Sequence, residues 1–164
     1  MPQDAVPVLY VDGEAISQST AILRYLAREY DLYGDGNMNM TKVDTIVSTY
    51  EDFFTAMIKP FMEKDADKRK EMIKDFGEKT VPKYVNIISK ILSDNQDNSG
   101  WLVGSKLTVA DIVIFGVFGD MESMLGKDTA KAYLENPKLV AHNGKVAAVP
   151  AIKDWLAKRP QSAF

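Results

Sequence analysis

The chain has 164 residues, 46% hydrophobic and 26% charged, with no cysteine and a single histidine, His142. Length and composition describe an ordinary globular chain with one or two small domains. Without cysteine there is no disulfide framework, thiolate metal site or cysteine nucleophile, and one histidine excludes a multi-histidine metal centre. A net charge of -3 gives no basic footprint for nucleic acid, no apolar run reaches the ~18 residues of a membrane span, and no signal-peptide pattern opens the chain. The expectation is a soluble cytoplasmic protein.

The first strand signal is Val6-Pro7-Val8-Leu9-Tyr10-Val11. Asp12-Gly13 and the short run Glu14-Ala15-Ile16 follow, which reads as a tight hairpin. Its first strand is apolar on both faces, the pattern of a central strand. Ala21 to Tyr30 reads as a helix with Ser19 as N-cap and Ile22, Leu26 and Tyr30 on one face. The segment Asp31 to Asn39, with Gly34 and Gly36, reads as a loop and domain boundary.

Everything beyond that boundary reads as helix. Thr41 to Ile58 is periodic in Val43, Ile46, Val47, Tyr50, Phe53, Phe54 and Met57, and Pro60 should kink or end it. Glu63 to Lys83 is rich in both charge signs and reads as a solvated helix pair with its turn. Val81 to Leu92 is a helix with Val85, Ile88 and Leu92 on one face, and Ser93 to Gly100 is a polar loop. Thr108 and Asp111 have the spacing of a capping box, with Leu107 and Ile112 as its hydrophobic staple. The helix behind it, Val109 to about Leu125, is apolar nearly all round and should be the central, buried one. Two last helices start at Pro137 and Pro150, each with proline at the first helical position. Asp111 is assigned the cap and no acid–base role. His142 is read as a surface or packing residue.

Taken together, Val6-Pro7-Val8-Leu9, Val11-Asp12-Gly13 and Gln18-Ser19 followed by Ala21 to Ala27 resemble the glutathione-binding half of a cytosolic glutathione transferase. The later motifs agree: Phe53, Pro60, the run Leu102 to Asp111, and the tail from Val149-Pro150-Ala151-Ile152 through Trp155-Leu156 to Lys158-Arg159-Pro160-Gln161. They are similar to the sigma class, especially its nematode-like members. The resemblance implies an α+β, mostly α fold. Residues 1–33 would be a partial thioredoxin-like piece, a β-hairpin plus a helix. Residues 41–164 would be an all-helical glutathione-transferase C-terminal domain. It also implies a homodimer, glutathione as co-substrate with no bound cofactor or metal, and electrophilic hydrophobic small molecules as the second substrate.

Such transferases begin with a strand–helix–strand unit on the order of thirty to fifty residues before the proline strand. That unit holds the tyrosine that hydrogen-bonds the glutathione sulfur. It has no counterpart in these 164 residues, and Tyr10 lies inside the hairpin. The resemblance therefore implies a glutathione transferase whose sulfur-activating unit is missing from the sequence, or alternatively a non-enzymatic binding or assembly protein. A transferase-like docking module is a weaker third reading. A hairpin without its usual neighbours should be covered by another chain, rearranged or mobile.

By the same resemblance Val6-Pro7 is a cis peptide whose flanking backbone pairs with glutathione, and Gln18 and Ser19 hold the γ-glutamyl carboxylate at a helix N-terminus. Asp52 would reach across a dimer to the γ-glutamyl ammonium. Ser48 stands where some sigma members place a further acid, so a shared divalent ion is not expected. Phe54, Met57, Ile58 and Phe164 would line the second-substrate pocket, and no catalytic residue is assigned.

Overall fold

Alternation of β-formers about an Asp-Gly pair builds the first element. The computed structural model describes Asp4 and residues 6–160, and in it strands β1 (Val8–Val11) and β2 (Glu14–Ser17) pair antiparallel with Val11 opposite Glu14. The two linking residues, Asp12 and Gly13, both have positive φ (50° and 89°), as a tight two-residue hairpin turn requires. The sheet has two strands among the described residues, so β1 has one neighbour rather than the two expected of a central strand. The hairpin is not rearranged: it forms where the sequence places it.

Helix α1 (Ser19–Glu29) follows after one residue, Gln18, at φ 72°. The cap position is thus Gln18, one place earlier than expected, and Ser19 is the first helical residue. The buried face also differs. Ala27 is 2% exposed and Leu23 packs on the core, whereas Leu26 and Tyr30 are 37% and 68% exposed. α1 has two apolar stripes, and docking onto the helical body selects the one through Leu23 and Ala27.

Helix α2 (Gly36–Met62) starts earlier than the sequence implies and runs two residues past Pro60, which sits in its last turn. Its inward face is the expected one: Val43, Ile46, Val47, Phe53 and Met57 are buried. Next, α3 (Ala66–Asp75) passes through a π-helical turn at Phe76–Thr80 into α4 (Val81–Asp94). No turn separates a helix pair here; from Ala66 onward the charged stretch is one continuous helical run. Gly77 permits this run to pass close to Thr129, because a Cβ there would lie 2.9 Å from Thr129 Cα.

Helix α5 (Val109–Gly119) begins at the capping box and stops at Asp120, and α6 (Met121–Leu125) continues as a separate short helix. The sequence pattern implies one helix across both and gives no sign of α7 (Lys127–Leu134). Helices α8 (Pro137–Ala147) and α9 (Pro150–Lys158) complete the chain, each with proline at its start as expected. None of the described helices is long and apolar enough to cross a membrane.

The core lies between α2, α4, α5 and α7. Phe53 is its hub, with ring centroids 5.3 Å from Phe76, 4.9 Å from Tyr84 and 5.5 Å from Phe118. Aromatic pairs at these separations add directional attraction to the burial of apolar area.

A second, polar hub centres on Asp111, which is fully buried. Its Oδ2 accepts hydrogen bonds from the Thr108 backbone N–H (2.8 Å) and hydroxyl (2.9 Å). Its Oδ1 accepts one from the Leu102 N–H (2.8 Å) and lies 2.9 Å from His142 Nε2. The capping role is as expected. His142 is a packing residue, 3% exposed, and not a surface one.

Hydrogen bonds tie α1 and the segment behind it to the helical body: Arg24 Nε donates to Asp44 Oδ1 (2.6 Å), the Tyr33 hydroxyl donates to the same oxygen (2.7 Å), and Val109 N–H donates to Leu32 C=O (2.7 Å).

Candidate functional site

The hairpin register gathers residues that are far apart in sequence. Val8 faces Ser17, so Pro7 and Gln18 are adjacent at the open end of the ladder. Val6-Pro7 and Gln18-Ser19 therefore converge there, and the Val6-Pro7 peptide is cis. All four residues are exposed, Val6 at 76%. The same end carries the N-terminus of α1, whose Gln18 cap makes no side-chain cap hydrogen bond. Unsatisfied first-turn N–H groups and the helix dipole favour a carboxylate at such a place. Tyr10, the hairpin's one tyrosine, pairs with Ala15 in mid-ladder, away from this end.

Helix α1 links this end to a second feature. Ser19 and Leu23 are one turn apart on the same side of the helix, and a turn rises only about 5.4 Å. Leu23 lines an apolar groove of about 750 Å³ formed with α2, α5 and α6. Phe54, Met57 and Ile58 line it as well, so three of the four residues expected to form a hydrophobic pocket share one groove. Phe54 and Ile58 are part-exposed to it, and Met57 is almost wholly buried beneath. The fourth, Phe164, lies outside the described residues.

Asp52 does not join either feature. It is exposed and stands two residues, about 200° of helical rotation, from Phe54, so it faces away from the groove.

Tyr50, Phe61, Met62, Ile112, Gly116 and Asp120 also line the groove and were not anticipated as lining. One signal was available. Ile112, Gly116 and Asp120 recur at every fourth position of a helix otherwise apolar all round, and a glycine on that stripe leaves a trough. A Cβ on Gly116 would meet nothing within 4 Å. The face of α5 taken from the sequence as buried is therefore open at Gly116, which is exposed.

Among the described residues, no group of three or more histidine, aspartate or glutamate side chains could hold a metal ion.

A short hairpin whose open end meets a helix N-terminus, packed on an all-helical body, is also the arrangement found in known proteins. Residues 51–159 match the family "Glutathione S-transferase, C-terminal domain". S-crystallin SL11 of Nototodarus sloanii is 34% identical over 165 residues, covering 100% of this chain and 78% of the relative. Glutathione S-transferase 3 of Caenorhabditis elegans is 32% identical over 166 residues, covering 99% and 78%. The solved structure of prostaglandin synthase D of Nilaparvata lugens superposes with a TM-score of 0.84 at 33% identity, covering 98% of this chain and 77% of that one. The chain belongs to the glutathione S-transferase family, and its mostly helical fold behind a β-hairpin and helix is the architecture of that family.

Proposed function

We propose that the chain is a sigma-like glutathione transferase that joins the glutathione thiolate to electrophilic hydrophobic small molecules, a detoxifying reaction. Backbone groups beside Val6-Pro7 pair with the peptide of glutathione, and Gln18 and Ser19 receive its γ-glutamyl carboxylate at the start of α1. Phe54, Met57 and Ile58 receive the electrophile. The observation that carries this reading is the placing of Ser19 and Leu23 one turn apart on α1. It sets the carboxylate-favouring end beside the apolar groove.

Asp52, turned away from the groove, suits a role across a homodimer, where it would meet the γ-glutamyl ammonium of the partner's glutathione. Sedimentation should then show a dimer, and Asp52→Ala should weaken glutathione retention without unfolding the chain.

A second reading is a non-enzymatic binding protein. It is favoured by Tyr10, which sits in mid-ladder rather than at the open end. Lowering a thiol's pKa requires a donor preorganised at the sulfur. One experiment separates the readings: capture of the purified 164-residue chain on glutathione resin, beside turnover of glutathione with a chromogenic aryl halide. Retention with turnover well above background supports the transferase and excludes the alternative. Retention without turnover supports the binding protein. Failure to be retained, or equal retention by Ser19→Ala, overturns the placing of glutathione.

A further inference from the structure

A second groove, of about 550 Å³, lies between α3 with its π turn and the start of α7, and it shares no lining residue with the first. Lysines border it on both walls, Lys70 and Lys74 on α3 and Lys127 and Lys131 on α7, and Ile73 and Leu125 give it apolar lining. Acids border it too. Glu78 and Glu135 stand 3.9 Å from Lys74 and Lys131, and Asp128 lies in the first turn of α7. Lys127 has no ion pair among the described residues. Gly126 caps α7 at φ 86° with no side-chain hydrogen bond, and a Cβ there would meet nothing within 4 Å. The N–H groups of Lys127, Asp128 and Thr129 are thus left uncapped at an open approach. Thr129 adds what a helix start alone lacks. It lines the groove, is only 6% exposed, and its hydroxyl makes no hydrogen bond among the described residues. Among those residues the buried side-chain atom sealed off without a partner is His142 Nδ1. The unpartnered Thr129 hydroxyl therefore still reaches open space, and the groove is the space that Thr129 borders.

Uncapped N–H groups, a buried hydroxyl donor and lysines on both walls match the three terminal oxygens of a phosphate better than the two of a carboxylate. Apolar lining beside them matches a hydrocarbon substituent. We propose that this groove is a binding site for the phosphate monoester of an apolar alcohol. The phosphate sits at the start of α7, where it accepts hydrogen bonds from the uncapped N–H groups and the Thr129 hydroxyl. Lys127 and Lys131 offset its charge, and the hydrocarbon lies on Ile73 and Leu125. Asp128 opposes the anion and holds the affinity down. No bond is made or broken here: the site binds, apart from the places given to glutathione and the electrophile, and it stands whether or not those are right.

The test follows backbone amide signals by nuclear magnetic resonance. Hexyl phosphate, with hexanol and inorganic phosphate as its separate halves, is titrated into the nitrogen-15-labelled chain at pH 8, where the phosphate is a dianion. The ester should shift the amides of Gly126 to Thr129 saturably and bind at least about fivefold more tightly than inorganic phosphate, through its buried hydrocarbon. Hexanol should leave those amides in place. Thr129→Val keeps the shape of the side chain and should weaken the ester about five- to tenfold, the loss of one hydrogen bond to a charged group. Lys127→Gln should weaken it about twofold and Asp128→Asn strengthen it about twofold, as exposed charges do. No saturable shift at Gly126 to Thr129, or shifts at the start of α1 instead, overturns the site. Unchanged affinity in Thr129→Val overturns the built pocket and leaves a charged surface. Equal affinity for the ester and inorganic phosphate means an adventitious ion only. Binding to phosphatidic acid vesicles without binding of hexyl phosphate assigns the phosphate to a lipid surface and overturns the free ester.

Discussion

Replacing Asp111 by alanine tests the polar hub most directly. The carboxylate is wholly buried and receives four hydrogen bonds: from Leu102 N–H, Thr108 N–H, the Thr108 hydroxyl and His142 Nε2. The Thr108 hydroxyl can rotate, but a proton moved to His142 Nδ1 would also be buried without a partner. The two backbone N–H groups have no escape either. A buried donor left unmatched costs about 1–3 kcal/mol, and the lost helix cap overlaps with one of these. The expected destabilisation is about 3–5 kcal/mol, a large part of the about 5–15 kcal/mol that holds a typical domain. Asp111→Asn keeps the shape and one acceptor oxygen, so it should lose about half as much. Urea unfolding followed by far-ultraviolet circular dichroism reads both, as a lowered midpoint with an unchanged slope. If Asp111→Ala fails to fold, Asp111→Asn carries the test. Either variant within about 0.5 kcal/mol of wild type would refute the claim that this carboxylate ties α5, the preceding loop and α8 together.

Gly77→Ala should destabilise by about 1–2 kcal/mol, because the new Cβ meets the Thr129 backbone at 2.9 Å and this outweighs the helix-propensity gain; thermal unfolding would show it. Gly116→Leu should instead be neutral or up to about 1 kcal/mol more stable in the same thermal unfolding, since open space surrounds its Cβ and helix propensity improves. The Asp44 carboxyl feels burial pushing its pKa up, but hydrogen bonds from Tyr33 and Arg24 and the charges of Arg24 and Arg28 outweigh this and leave it below the ordinary value. A folded-state pKa lowered in this way stabilises the fold fully above the ordinary carboxylate pKa, and the contribution is lost as pH falls through the lower folded value. The stability gap between wild type and Asp44→Asn should therefore be flat from pH 6 to 8 and close below about pH 4; equilibrium unfolding across pH measures it.

The sequence by itself determined the features whose causes lie within a few residues. Asp12-Gly13 sets the hairpin because its turn needs two positive φ angles, and Thr108 with Asp111 starts α5 because a cap reaches three residues along. Pro137 and Pro150 open α8 and α9 because a first helical residue needs no N–H. The inward face of α2 follows from its 3.6-residue spacing. Tertiary structure decided what local spacing left open. α1 has two apolar stripes, and only docking through Arg24, Tyr33 and Asp44 shows that Leu23 and Ala27 face inward. The charged stretch from Ala66 runs on through a π turn at which Gly77 passes close to Thr129, a neighbour 52 positions away. His142 is buried because Asp111, 31 positions earlier, offers it an acceptor. The groove needs side chains from α1, α2, α5 and α6 at once, so no single window of sequence contains it. Periodicity records which residues avoid water, whereas a cleft depends on where separate helices fail to meet, and that is set by packing across the whole chain.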